Sequence, residues 1–98
     1  MAVPLHTRSW GETGPRILLL HGMTWNGAGW WHLAADLAER GWAVTAADLR
    51  GHGRSPGGDD YTLGAYTADV LESCGEGWDA VLGHSLGGAL AVLAQTAR

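Results

Sequence analysis

From end to end the chain alternates between short apolar runs, too brief to be helices, and longer stretches whose apolar residues recur at helical spacing. The runs are Arg16-Ile-Leu-Leu-Leu20, Trp42-Ala-Val-Thr-Ala-Ala47 and Asp79-Ala-Val-Leu-Gly83. Near-continuous hydrophobicity over so few residues predicts strands covered on both faces, as in a parallel sheet. After the first run, Trp30, Leu33, Ala34, Leu37 and Ala38 form one helical stripe, and Gly41 ends it. After the second, Thr62 is placed to cap a helix striped by Leu63, Tyr66, Thr67, Val70, Leu71 and Cys74, with Gly75 to Gly77 as the stop. Leu86 to the end predicts a final helix, apolar nearly all round and therefore expected to be buried on most sides. Val3 to Trp10 alternates loosely and predicts one or two edge strands. Strand and helix in succession imply an α/β fold, a mostly parallel sheet with flanking helices and right-handed crossovers.

Length sets the scale of this fold. A chain of 98 residues makes one small domain, residues 1–98, with no linker and no internal repeat. Hydrophobic residues reach 46% and charged ones 16%, yet no apolar stretch is long enough for a signal-peptide core or a membrane span. A cytoplasmic location and no membrane partner are the expectation. The net charge is -4, and the six basic residues are arginines scattered from Arg8 to Arg98, which excludes a basic face for nucleic acid. Cys74, the one cysteine, has no internal disulfide partner; it is read as a small buried residue rather than a reactive thiol. No cysteine or histidine pairing has metal-ligand spacing, so neither a metal nor an organic cofactor is expected.

The chemistry concentrates where strands end. Gly83-His84-Ser85-Leu86-Gly87 lies between a predicted strand and a predicted helix, the context in which a G-x-S-x-G sequence presents a serine nucleophile. The turn strains the serine backbone and crowds the positions two before and two after, and both are glycine; Gly88 lets the helix pack closely. A serine that only caps the helix is the competing reading. His21-Gly22-Met23 follows the first parallel strand, where the Met23 backbone N–H stands to face that of Leu86 as a pair of donors to an oxyanion.

Asp48-Leu-Arg-Gly-His-Gly-Arg-Ser55 is a third segment at a strand end, and with it the sequence closely resembles the α/β-hydrolase family. That family shows an H-G-x oxyanion loop, a D-x-R-G-x-G-x-S loop and a G-H-S-x-G-G nucleophile elbow, in this order and at about this separation. The resemblance implies Ser85 as nucleophile and the Met23 and Leu86 backbone N–H groups as the oxyanion hole. His21, Gly22, Gly83, His84, Gly87 and Gly88 would support the loop and elbow. Asp48, Arg50, Gly51, Gly53 and Ser55 match a motif whose role is mainly architectural. The sheet would be mixed only at its N-terminal edge.

In the family the acid and then the histidine follow the serine. Leu86 to Arg98 holds no His, Asp or Glu, so the expectation is an incomplete N-terminal portion of the fold whose isolated 98-residue chain is inactive. His21 and His52 lie in loops on the catalytic side, but match family positions with other roles. The leading function is a serine-dependent hydrolase moving an acyl group from an ester or lactone to water; serine at position 85 disfavours the branches that attack with a carboxylate. A non-catalytic remnant that binds a small ligand or a partner is the alternative. Trp25, Trp30 and Trp31 are read as core residues before pocket lining.

Overall fold

The computed structural model describes residues 2–22 and 27–96. Strands β1 (Thr7–Trp10), β2 (Arg16–Leu20), β3 (Ala43–Ala47) and β4 (Ala80–Gly83) alternate with helices α1 (Trp31–Glu39), α2 (Leu63–Cys74) and α3 (Leu86–Thr96). The sheet order is β1-β3-β2-β4. β2 pairs in parallel with β3 on one side and β4 on the other, while β1 runs antiparallel to β3 at the edge. The sheet is thus mixed only at its N-terminal margin, and Val3 to Trp10 yields one strand rather than two.

Central placement explains the unbroken apolar run of β2. Its side chains alternate between two layers: Leu18 and Leu20 pack with Ala47, Leu49, Tyr66, Val70, Leu90 and Ala91. Ile17 and Leu19 pack on the opposite side with Trp30, Ala34, Val44 and Ala46. Each strand residue therefore finds a covered face, with α2 and α3 on one side and α1 on the other. Burying one such aliphatic side chain contributes about 1.5–3 kcal/mol before entropy is counted.

The helix ends follow local chemistry. Thr62 stays extended and its hydroxyl accepts from the Ala65 N–H at 3.2 Å, which caps α2. Its own N–H donates to Asp60 Oδ1 at 2.9 Å, so the loop feeds the cap. α1 has no side-chain cap; a 3-10 turn, Gly27–Trp30, leads into it, so the helix begins one residue later than its stripe suggests. Gly41 leaves it with φ +96°, a conformation that residues with a Cβ rarely adopt.

β4 is pinned to β2 at its entry. The Arg16 N–H donates to Asp79 Oδ2 at 2.8 Å, the Asp79 N–H returns to the Arg16 carbonyl at 2.8 Å, and the Arg16 guanidinium lies 4.1 Å from the Trp78 ring centre. Farther on the cover thins. Leu82 on β4 and Val92 on α3 are exposed, whereas Leu90 and Ala91 are buried. Over residues 86–93 the final helix is therefore buried on one side only, because no described element packs on its far face. No helix among the described residues is long and apolar enough to cross a membrane.

Candidate active site

Among the described residues Ser85 is the one non-glycine with positive φ, +57°. It stands directly between β4 and α3, where the chain must reverse from extended to helical within two residues. Holding a residue with a Cβ in this left-handed region costs roughly 1–2 kcal/mol, so the surroundings must impose it. They do so through backbone contact. A Cβ at Gly83 would lie 2.1 Å from the Gly87 carbonyl oxygen, and one at Gly87 would lie 2.0 Å from that of Leu20. Both glycines are required for strand, turn and helix to approach this closely.

The turn is then stitched by main-chain hydrogen bonds. The His84 N–H donates to the Leu20 carbonyl at 3.0 Å, Gly87 donates to His84 at 3.0 Å, and Gly88 and Ala89 donate to the Ser85 carbonyl at 3.0 and 3.3 Å. The Leu86 N–H has no backbone acceptor among the described residues. It is thus left at the first turn of α3, the end of a helix where main-chain N–H groups favour negative charge.

Gly22 adjoins this elbow. A Cβ built on it would meet His84 Nδ1 at 3.2 Å and the Ser85 Cβ at 3.3 Å, so the loop after β2 passes beside the serine. Met23 and Trp25 lie outside the described residues. His21 is fully buried behind the loop. Its Nε2 lies 2.9 Å from the Leu49 N–H, which can only donate, and its Nδ1 lies 2.5 Å from the Gly22 carbonyl, which can only accept. The partners assign a neutral ring with its hydrogen on Nδ1. Burial lowers the His21 pKa below the usual imidazole value, against a smaller opposing contribution from the Gly22 bond; His52 and Arg8 lower it further and Asp48 raises it.

The loop after β3 is a web of satisfied polar groups. Asp48 is fully buried, bonded to the Arg8 guanidinium and accepting from the Arg54 N–H at 3.0 Å. A Cβ at Gly53, where φ is +52°, would meet Asp48 Oδ2 at 2.4 Å. Ser55 donates to the Asp48 carbonyl and accepts from the His6 N–H at 2.8 Å. Arg50 is 2% exposed, forks onto both oxygens of Asp69 at 2.8 Å, and donates to the Asp60 carbonyl at 2.6 Å. The bond to Asp69 and its charge hold the guanidinium in its charged form against the opposing effect of burial. Asp48, Arg50, Gly51, Gly53 and Ser55 are thus engaged with their own loop and its neighbours.

Two partners in this web, Asp69 and Arg8, were not singled out by sequence. The signal for Asp69 was available: it lies between Thr67 and Val70 on the buried side of α2, where a carboxylate requires a cation. The remaining expectations sort by position. Cys74 is half-buried, and burial pushes its thiol up to about 11, so it is a thiol near neutrality. Trp30 is in the core, whereas Trp31 is exposed and stacks on His32. The described residues hold no cluster of three potential metal ligands. Surface grooves run along α1 at His32, Asp36 and Glu39, and between the N-terminal segment and α2 at Leu5, Glu72 and Ser73; neither includes Ser85.

Comparison with known proteins agrees with this geometry. The family model described as alpha/beta hydrolase fold matches residues 15–94. Lipase LipV of Mycobacterium tuberculosis is 41% identical over an alignment covering 100% of this chain and 38% of the lipase. A solved marine microorganism esterase superposes with a TM-score of 0.87 at 31% identity, covering 98% of this chain and 38% of the esterase. An epoxide hydrolase from Vigna radiata superposes with a TM-score of 0.81 at 29% identity, covering 92% and 31%. The chain thus spans well under half of each relative. With the matched segment running from β2 through the serine turn into α3, the chain belongs to the α/β-hydrolase fold family.

Proposed function

We propose that this chain carries the nucleophile portion of a serine hydrolase that transfers an acyl group from a small ester or lactone to water. The Ser85 Oγ attacks the carbonyl carbon, and its proton passes to a base. The tetrahedral oxyanion accepts hydrogen bonds from the backbone N–H groups of Met23 and Leu86. Collapse expels the alcohol, and water then cleaves the acyl-serine to release the acid and restore the hydroxyl.

The observation that carries this reading is the left-handed Ser85 wedged between glycines that touch backbone. A serine that only capped a helix would keep extended dihedrals and lend its side chain to the helix amides, as Thr62 does. The neighbours include both esterases and an epoxide hydrolase, and the hydroxyl at position 85 favours acyl transfer over attack by a carboxylate. His21 has both ring nitrogens engaged, so the part of base is not assigned to it. A cytoplasmic site of action is proposed with it, in keeping with a single cysteine held as a thiol.

A fluorophosphonate probe followed by intact-mass analysis tests the reading. Labelling that Ser85→Ala abolishes is the expected result, slow in the isolated chain because none of the described residues is assigned as the base for Ser85. Absence of labelling in folded protein would favour the remnant reading, in which the exposed apolar surface at Leu82 and Val92 binds a ligand or partner instead.

A further inference from the structure

Residues 3–6 precede β1 and belong to no helix or strand, yet their amides are engaged in a regular order. Val3 donates to Asp69 Oδ1 at 2.8 Å and Leu5 to Ser73 Oγ at 2.9 Å, so both turn to α2. His6 turns the other way and donates to Ser55 Oγ at 2.8 Å, while its carbonyl accepts from the Asp48 N–H at 2.9 Å. Pro4, exposed between them, has no N–H to place. This is the alternation of an extended chain, in which every second amide faces the same side at a repeat of about 6.6–6.8 Å. Asp69 and Ser73 lie four positions apart on α2, about 6 Å along its axis. Two side chains of a helix thus stand in for the carbonyls of a neighbouring strand.

The first of these acceptors is also part of a buried ion pair. Asp69 Oδ1 accepts from Arg50 Nη2 at 2.8 Å as well as from Val3, and both members of the pair are buried. The Leu5 side chain packs on the core cluster that contains Tyr66 and Val70. The segment therefore covers the pair at one end and reaches the Asp48 loop at the other. The pair does not need the segment in return, because the two 2.8 Å bonds from Arg50 to the carboxylate involve none of its atoms.

We propose that residues 3–6 are a releasable strap: seated, they use α2 as a surrogate strand, keep water from the Arg50–Asp69 pair and brace the Asp48 loop; released as one unit, they let water reach the pair while the sheet stays folded. Side-chain acceptors suit such release. A strand that leaves a sheet orphans a row of main-chain groups on its neighbour, whereas here each acceptor keeps another partner or meets solvent. Ser73 lies at the surface and turns to water, Asp69 retains Arg50, and Ser55 retains its own donation to the Asp48 carbonyl.

Hydrogen exchange at the Val3 and Leu5 amides and at Arg50 Nε, followed by NMR on the 98-residue chain at several urea concentrations below the unfolding midpoint, tests this. A local opening exposes little surface and depends weakly on urea, whereas global unfolding carries the full urea slope. Exchange of all three sites with a weak urea dependence, ahead of the amides of β2 and β3, is expected. Arg50 Nε exchange that carries the full slope would overturn the strap. Two variants then ask whether it moves as a unit: Val3→Pro removes one donor and Ser73→Ala one acceptor, at different points of its hold on α2. Val3→Pro should speed exchange at Leu5, and Ser73→Ala at Val3, each by roughly threefold to tenfold, the worth of one net hydrogen bond, and both should speed Arg50 Nε. Variants whose effects stop at the bond each removes would show independent contacts and overturn the proposal.

Discussion

Two loops at the same end of the sheet solve opposite problems. The one after β3 buries charge and satisfies it: Asp48 with Arg8, Arg50 with Asp69 and Asp60, and Ser55 with His6 and Asp48. The one after β4 buries almost no polar side chain and instead stores conformational strain, a left-handed Ser85 enforced by glycines with no room for a Cβ. The first is held by hydrogen bonds that would be costly to lose; the second is held by close backbone contacts. Between them His21 and Gly22 link the rigid web to the strained turn. A network built for fixity thus stands beside a turn held under strain.

The contrast predicts different failures for the two loops. Asp69→Ala takes away both carboxylate oxygens onto which the buried Arg50 guanidinium forks, and a loss of about 3–5 kcal/mol is expected, measured by urea denaturation. Against the few kcal/mol that hold a domain of this size, that would leave the chain largely unfolded. Gly87→Ala drives a Cβ into the Leu20 carbonyl, and a loss of about 1–3 kcal/mol is expected together with abolition of probe labelling at Ser85. Labelling at the normal rate in a folded Gly87→Ala chain would show that the close approach is dispensable.

A pH series isolates the link between the loops. The folded-state pKa of His21 is lowered, so the unfolded chain takes up a proton first as the solution is acidified. Its contribution is present in full above the unfolded value near 6.5 and is lost as pH falls through the folded one. Thermal melts should therefore drop in midpoint below that value, and His21→Asn should flatten this part of the curve. The smallest effect expected is of opposite sign. Ser85→Gly relieves the left-handed strain and should raise stability by about 1 kcal/mol while removing the proposed nucleophile.

Much of the fold was legible because each element carries its own period. Arg16–Leu20 reads as a doubly covered strand since β2 is flanked by parallel neighbours, and Thr62 and Gly41 mark helix ends through local conformation alone. The elbow was legible for the same reason, being a contiguous turn whose steric demand is written in Gly83 and Gly87. The partners within the web were not. Arg8 to Asp48 and Arg50 to Asp69 join positions far apart in the chain, and periodicity carries no information about which buried charges meet. The one-sided exposure of α3 likewise depends on what packs beyond β4, which helical spacing cannot express.

The placement of Ser85 underlies the rest, and solution NMR of the labelled 98-residue chain addresses it without any need for activity. A left-handed φ from the Ser85 coupling constants, with nuclear Overhauser contacts between the Gly22 Hα and Ser85 Hβ protons, is the predicted result. A right-handed helical or extended φ at residue 85, with no contact to Gly22, would contradict it.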